Sequence, residues 1–322
     1  MNVKLKNLLR GGFFATINKP LLGSILVLLA AFFWGFTPII AKLTYTMGSN
    51  AVNMAFLRNL LALPILFVLL RWKRVSFKLS AKEVGILCVL GICNAFTTIL
   101  LYMSYDYIPV GIATTLNSSF PILVMIGSVV LFKQKIARKG IISLVVTMTG
   151  IAMFFSVAND HANMWLGTSI AFLSAICYAA YVLIFDKSDL KEHYAFKLTF
   201  YTCMINSVCC LVFGLAQGNI TFALTSEAWV YSAIVALLCS VCCITFFQLG
   251  IKYVGSVTAS ILVMAEPVVS IVLGVICLHE SLTVLKVMGC VLIITGLLIL
   301  QIKKKAESRI PWVFRRGIKK QL

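Results

Sequence analysis

Ten apolar stretches follow one another along this chain, at 21–45, 52–70, 84–104, 109–132, 140–158, 166–186, 197–216, 228–251, 256–279 and 284–302. A helix of about 20 residues crosses a hydrocarbon core of roughly 30 Å, so each stretch is read as one membrane span. Water is not an alternative solvent for such a surface. Only 12% of the residues are charged, where soluble domains carry about 25%. In lipid the backbone finds no water to pair with, so every span must be helical. The alternating strands that a membrane barrel needs are absent. The expected fold is an all-α polytopic membrane protein of ten transmembrane helices with short loops and no separate soluble domain.

The net charge of +18 raises nucleic-acid binding until the charges are mapped. Lys and Arg crowd into every second connection: Lys4 to Lys19, Arg71 to Lys82, Lys133 to Lys139, Lys187 to Lys197, Lys252, and Lys303 to Lys320. The other loops hold almost none. The positive-inside rule then places both termini in the cytoplasm and accounts for the charge without nucleic acid. The expected location is the cytoplasmic (inner or plasma) membrane. The basic start runs into a first span too long for a cleaved signal. Residues 1–20 read as a basic cytoplasmic segment and 303–322 as a basic cytoplasmic tail. With Pro311, Trp312 and Phe314, that tail suits either an anionic lipid surface or water.

The eleven Cys residues all fall within spans, and the three His residues lie in loops or at a span end. Buried Cys behaves as a small hydrophobe, so no metal or cofactor is expected.

The chain also matches itself. A shift of 146 residues aligns Tyr107 with Tyr253, Ala113 with Ala259, Pro121 with Pro267, Thr149 with Thr295 and Gly150 with Gly296. A shift of 144 aligns Leu29 with Leu173, Ala31 with Ala175 and Trp34 with Tyr178. Each repeat, 21–158 and 166–302, holds five spans. An odd number makes the second repeat enter from the opposite face, so the halves are expected to be inverted around a central cavity. Inverted repeats supply two conformations facing opposite sides, the basis of alternating access in secondary transporters.

Several short motifs sit on this frame: Trp34-Gly35, Ile40-Ala41-Lys42-Leu43, Phe56-Leu57-Arg58, Pro121, Glu266-Pro267 and His279-Glu280. Together with the five-plus-five layout they resemble the EamA family of the drug/metabolite transporter superfamily, over residues 21–302. The resemblance implies a carrier of small metabolites, often an exporter of amino acids or related compounds. The first repeat departs from the pattern. Phe120 stands where Glu266 stands in the second, and Lys133-Gln134 where His279-Glu280 does.

Glu266 is the deepest acid, about ten residues into its span, where a charge costs about 2.5–3.5 kcal/mol. It is the candidate site for a coupling proton or a substrate amino group; the alternative is a carboxyl bonded to a neighbouring helix end beside Pro267. Lys42 and Arg58 sit in the outer third of spans 1 and 2. They either attract a substrate carboxylate, or snorkel and pair with outer acids such as Glu280 or Asp106. Trp34 and Tyr178 lie far from the interfacial belts where such rings usually sit. With Asn94, Thr98, Tyr102, Thr114 and Gln248 they are candidates to line an apolar cavity with a few polar groups, as a small organic substrate needs. The alternative is ordinary interhelical bonding. Pro38, Pro121 and Pro267 are candidate kinks.

Export of an amino-acid-like zwitterion or anion is the leading expectation. Uptake or exchange is equally compatible with the sequence. A multidrug cation carrier fits the basic Lys42 less well. A lipid scramblase needs a polar groove open to lipid. An intramembrane enzyme needs clustered catalytic groups, and the chain has no Walker A loop. The expected partners are a small-molecule substrate and membrane lipid, with oligomeric state open.

Overall fold

The computed structural model describes residues 18–104, 107–108, 113, 116–153, 164–278 and 284–301. The side chains of Pro38, Lys42, Tyr102 and Lys286 lie outside that description, as do Thr114 and Glu280 entirely. Among the described residues all regular structure is helical. The helices are α1 Lys19–Tyr45, α2 Ala51–Trp72, α3 Ala81–Ser104, α4 Phe120–Val130, α5 Arg138–Ala152 and α6 Met164–Lys187. They continue as α7 Ala195–Ala216, α8 Ser226–Val254, α9 Ser256–Leu262, α10 Glu266–Leu278 and α11 Val284–Gln301. Seven of the expected spans contain a helix long and apolar enough to cross a membrane. The other three are represented by α4, α5 and α11, of which Phe120–Val130 and Val287–Leu300 are shorter apolar helices.

Local chemistry sets the ends and breaks. Asn50 caps α2 by accepting from the Asn53 N–H at 2.8 Å, and Thr225 caps α8 by accepting from Ala228 at 3.2 Å. Such caps satisfy N–H groups that lack a partner in the first turn. α8 carries a wide π-type stretch at Ala236–Cys243, a form that concentrates at functional sites. Pro121 and Pro267 fall in the first turns of α4 and α10. There they do not bend a continuous rod. A 3₁₀ turn at Val263–Ala265 separates α9 from α10, because Pro267 cannot donate to the carbonyl four residues back.

Two rings of loops are tied together. Lys187 lies over the Phe132 ring at 4.9 Å, Lys252 pairs with Glu192 at 3.1 Å, and Lys197 donates to the Lys78 carbonyl at 2.7 Å. The basic connections therefore share one face. On the other face Asn50 donates to the Asn219 carbonyl at 2.8 Å, and the Thr221 N–H donates to Asn53 at 3.2 Å. Between the faces lies a belt of exposed apolar side chains, among them Val68, Val145, Val212, Ile276 and Leu298, suited to lipid and to little else.

Helix packing repeats when the halves are exchanged. α3 packs on α6 as α8 packs on α1; α4 packs on α6 as α10 packs on α1; α3 meets α7 as α8 meets α2. α2 with α7 and α5 with α11 are their own counterparts. Contacts follow the same exchange. A Cβ on Gly23 would stand 2.6 Å from the Tyr253 Cβ, and one on Gly167 2.7 Å from the Tyr107 Cβ.

α5 and α11 cross at bare backbone. A Cβ on Gly150 would come 2.6 Å from the Gly289 carbonyl oxygen, and one on Gly296 2.9 Å from that of Ser143. The Ser143 hydroxyl donates to the Gly296 carbonyl at 2.6 Å. Small residues at such crossings let helices approach where no hydrophobic force drives them together. Gly150→Val should therefore destabilise the bundle by about 1–3 kcal/mol, the usual cost of overpacking. A lowered unfolding temperature in detergent checks this; an unchanged one would refute the tight crossing.

Candidate functional site

A cavity of about 270 Å³ lies between the two halves. Six of its lining positions in the first half are matched by six in the second at the repeat shifts. They are Trp34 with Tyr178, Thr37 with Tyr181, Thr98 with Ile244, Leu101 with Phe247, Asn117 with Val263, and Phe120 with Glu266. The backbone positions correspond; the chemistry does not.

The first half supplies a wall of hydrogen-bond donors. Asn206 of α7 donates to the Asn94 Oδ1 at 2.5 Å. Ser174 turns its hydroxyl to the Thr97 carbonyl at 2.8 Å and the Asn117 Oδ1 at 3.0 Å. The oxygens of both lining asparagines are thereby engaged. Their NH₂ groups have no acceptor among the described residues, which leaves them for a ligand. Thr97 and Thr98 give their protons to carbonyls of their own helix. Arg58 adds a guanidinium, donating to the Cys239 Sγ at 3.1 Å. Asn94 has a counterpart in Ser240, which donates to Asn59 of α2 at 3.5 Å.

Rings from both halves and one acid from the second complete the lining. Tyr178 stacks with Tyr181 at 5.9 Å and with Phe247 at 6.2 Å between centroids. Trp34 meets Phe247 edge-on at 5.5 Å, and Phe120 meets Tyr178 edge-on at 4.6 Å. Glu266 is the acid among the lining residues. Its carboxyl makes no hydrogen bond or ion pair among the described residues. Its backbone is held against α1: a Cβ on Gly35 would meet the Glu266 carbonyl oxygen at 2.8 Å, and Ser270 donates to the Gly35 carbonyl at 3.1 Å.

Of the residues expected at the site, Trp34, Asn94, Thr98, Tyr178 and Glu266 line the cavity together, and Arg58 joins them. Gln248 does not line it. Its side chain is 1% exposed, donates to the Tyr181 hydroxyl at 3.0 Å and accepts from Thr199 at 3.2 Å. It braces an aromatic wall from behind. Thr37, Thr97, Asn117, Ser118, Phe120, Tyr181, Cys239 and Phe247 also line the cavity. Carrying the two repeat shifts one turn further along each helix would have found Thr37, Tyr181 and Asn117.

Toward the basic face the described apolar side chains of the two halves pack together. Below Tyr181 lie the fully buried Phe185 and Ile251. Asp186, at the end of α6, then accepts from Ser256 at the start of α9 at 2.9 Å, with Lys187 and Lys191 each 4.0 Å away. His193 bonds Glu83 at 2.6 Å. The exposed Lys252–Glu192 pair adds little; the buried Asp186–Ser256 bond is the one that joins the two helices at depth.

Comparison with known proteins fits this geometry. An uncharacterised transporter of Synechocystis sp., sll1319, is 25% identical over 90% of this chain and 96% of its own length. The uncharacterised transporter YwfM of Bacillus subtilis is 24% identical over 88% of this chain and 95% of its own. A crystal structure of another protein superposes with a TM-score of 0.75 at 13% identity, covering 87% of this chain and 98% of that one, which shows the shared fold. The pattern of the EamA-like transporter family matches twice, at residues 21–156 and 165–302. With nearly the whole span-bearing chain covered by that double match, this protein belongs to the EamA-like transporter family and is a membrane transporter.

Proposed function

We propose that the chain carries a small zwitterionic metabolite across the cytoplasmic membrane by alternating access, most simply outward. The observation that carries this is the cavity itself. It is built at matched positions of two halves, with donors and a guanidinium on one wall, rings and a carboxylate on the other. Such a site is complementary to a molecule holding an anionic group at one end and an ammonium at the other. A simple organic cation would meet a guanidinium and asparagine NH₂ donors on one wall, which offer it repulsion rather than an acceptor and weigh against a multidrug cation carrier.

The exchange-invariant packing supports ten spans in two inverted five-helix halves, 21–158 and 166–302. Both termini then lie with the basic loops in the cytoplasm. The packed basic face and the mid-depth cavity correspond to a state facing away from the cytoplasm. Glu266 is the candidate to hold a coupling proton when substrate is absent.

Metabolite profiling of the medium tests the reading. Overproduction should enrich a narrow set of zwitterions outside the cells, and a Glu266→Gln strain should not. Enrichment inside the cells would reverse the proposed direction. An unchanged profile on both sides would remove the zwitterion reading.

The closure at the basic face gives a second test. Removing the Asp186–Ser256 bond by Asp186→Ala should cost the closed state about 1–3 kcal/mol. That shifts the open population by roughly five- to 150-fold. In a variant keeping Cys239 as its single cysteine, maleimide labelling from the basic side should rise accordingly. Unchanged labelling would show that Asp186 does not hold the closure.

A further inference from the structure

A primary ammonium carries three N–H donors and is best held where several acceptors converge on it. The aromatic wall, built from both halves, offers something else. Trp34, Phe120, Tyr178 and Phe247 form a continuous run of rings from four helices, each touching the next at 4.6 to 6.2 Å between centroids. Glu266 lines the same cavity. Of the other second-half lining residues, Val263, Ile244 and Phe247 have no polar side-chain atom, Tyr178 and Tyr181 carry a hydroxyl each, and Cys239 a thiol. Phe120 sharpens the pattern, because it stands at the position matched to Glu266 and puts a ring where strict repetition would put a second acid.

Ring faces attract a cation without needing N–H groups, most strongly when water is excluded, and are the usual receivers of methylated nitrogen. The Glu266 carboxylate attracts a methylated ammonium by charge alone, and the methyl groups gain contact with the rings.

We propose that the cavity selects zwitterions whose nitrogen is N-methylated, up to the quaternary ammonium. Trp34, Phe120, Tyr178 and Phe247 hold the methyl groups and Glu266 balances the charge. The carboxylate lies against Arg58 and the NH₂ groups of Asn94 and Asn117. This rests on the zwitterion reading above and adds the nature of the nitrogen.

The test is calorimetric titration of the purified full-length protein with glycine, N,N-dimethylglycine and N,N,N-trimethylglycine, which share one carboxylate and differ only in methylation. Affinity should rise along the series, by about tenfold from first to last. Glycine binding as tightly as the trimethyl compound would overturn the methyl preference. If that glycine binding disappears in Arg58→Gln, the zwitterion reading survives. No binding by any of the three would overturn both. Tyr178→Leu should lose the preference, whereas Tyr178→Phe, which keeps the ring and the packing, should hold it within about threefold. Loss in Tyr178→Phe equal to that in Tyr178→Leu would assign the contact to the hydroxyl and also overturn the proposal.

Discussion

Glu266→Gln should abolish proton-gradient-driven transport while the protein still inserts, purifies and elutes as the wild type does. Glutamine keeps the size and hydrogen-bonding shape of the side chain and removes the charge and the titratable proton. The carboxyl makes no described structural bond, and α10 is fixed instead by the Gly35 and Ser270 contacts, so stability should change little. The functional loss should be large because the described cavity lining holds no second acid. Truncating one partner of a desolvated charge pair costs about 2–5 kcal/mol, or roughly thirty- to several-thousandfold in affinity. Two assays separate the two roles of Glu266. Counterflow of labelled substrate at equal pH needs no net proton movement. If Glu266 serves coupling alone, counterflow survives in the variant; if it also anchors the ammonium, both assays fail. We expect both to fail. Normal gradient-driven transport in the variant would take Glu266 out of the mechanism.

Arg58→Gln should weaken substrate binding by a similar factor, since a bidentate guanidinium–carboxylate contact in a dry cavity has no substitute among the lining residues. Arg58→Lys should recover only part of it, because an ammonium offers a point charge in place of a planar fork. A substrate analogue lacking the carboxylate separates binding from packing: the wild type and Arg58→Gln should take it up equally poorly. If instead Arg58→Gln transports normally, the guanidinium serves the α2–α8 contact through Cys239 and the anionic end of the substrate lies elsewhere.

Much of the architecture is legible in the sequence because lipid leaves the chain few choices. An apolar run of this length must be helical, and basic residues alternating between connections fix which loops share a face. The loop contacts of Lys252, Lys197 and Lys187 agree with that assignment. Trp34, Tyr178, Asn94, Thr98 and Glu266 were legible for a related reason: polar or amphipathic groups at mid-depth need a partner or a cavity. Gln248 shows where that reasoning stops. A mid-span amide can face a cavity or brace the wall behind one, and only the rotation of α8 against α6 and α7 decides. That rotation depends on the π stretch at Ala236–Cys243, which apolar periodicity does not reveal. Phe247, Phe120 and Leu101 were missed because an apolar ring on a cavity wall and one in the core look alike in a sequence. The prolines were legible as breaks, but whether a break bends a helix or begins one depends on the turn before it, as Val263–Ala265 shows for Pro267.

The most direct measurement uses proteoliposomes of the purified protein, loaded with a whole-cell metabolite extract, with efflux read by mass spectrometry against protein-free and Glu266→Gln liposomes. The account expects a narrow set of small zwitterions to leave the wild-type vesicles alone. Efflux of the same set from the Glu266→Gln vesicles, or no protein-dependent efflux at all, would contradict it.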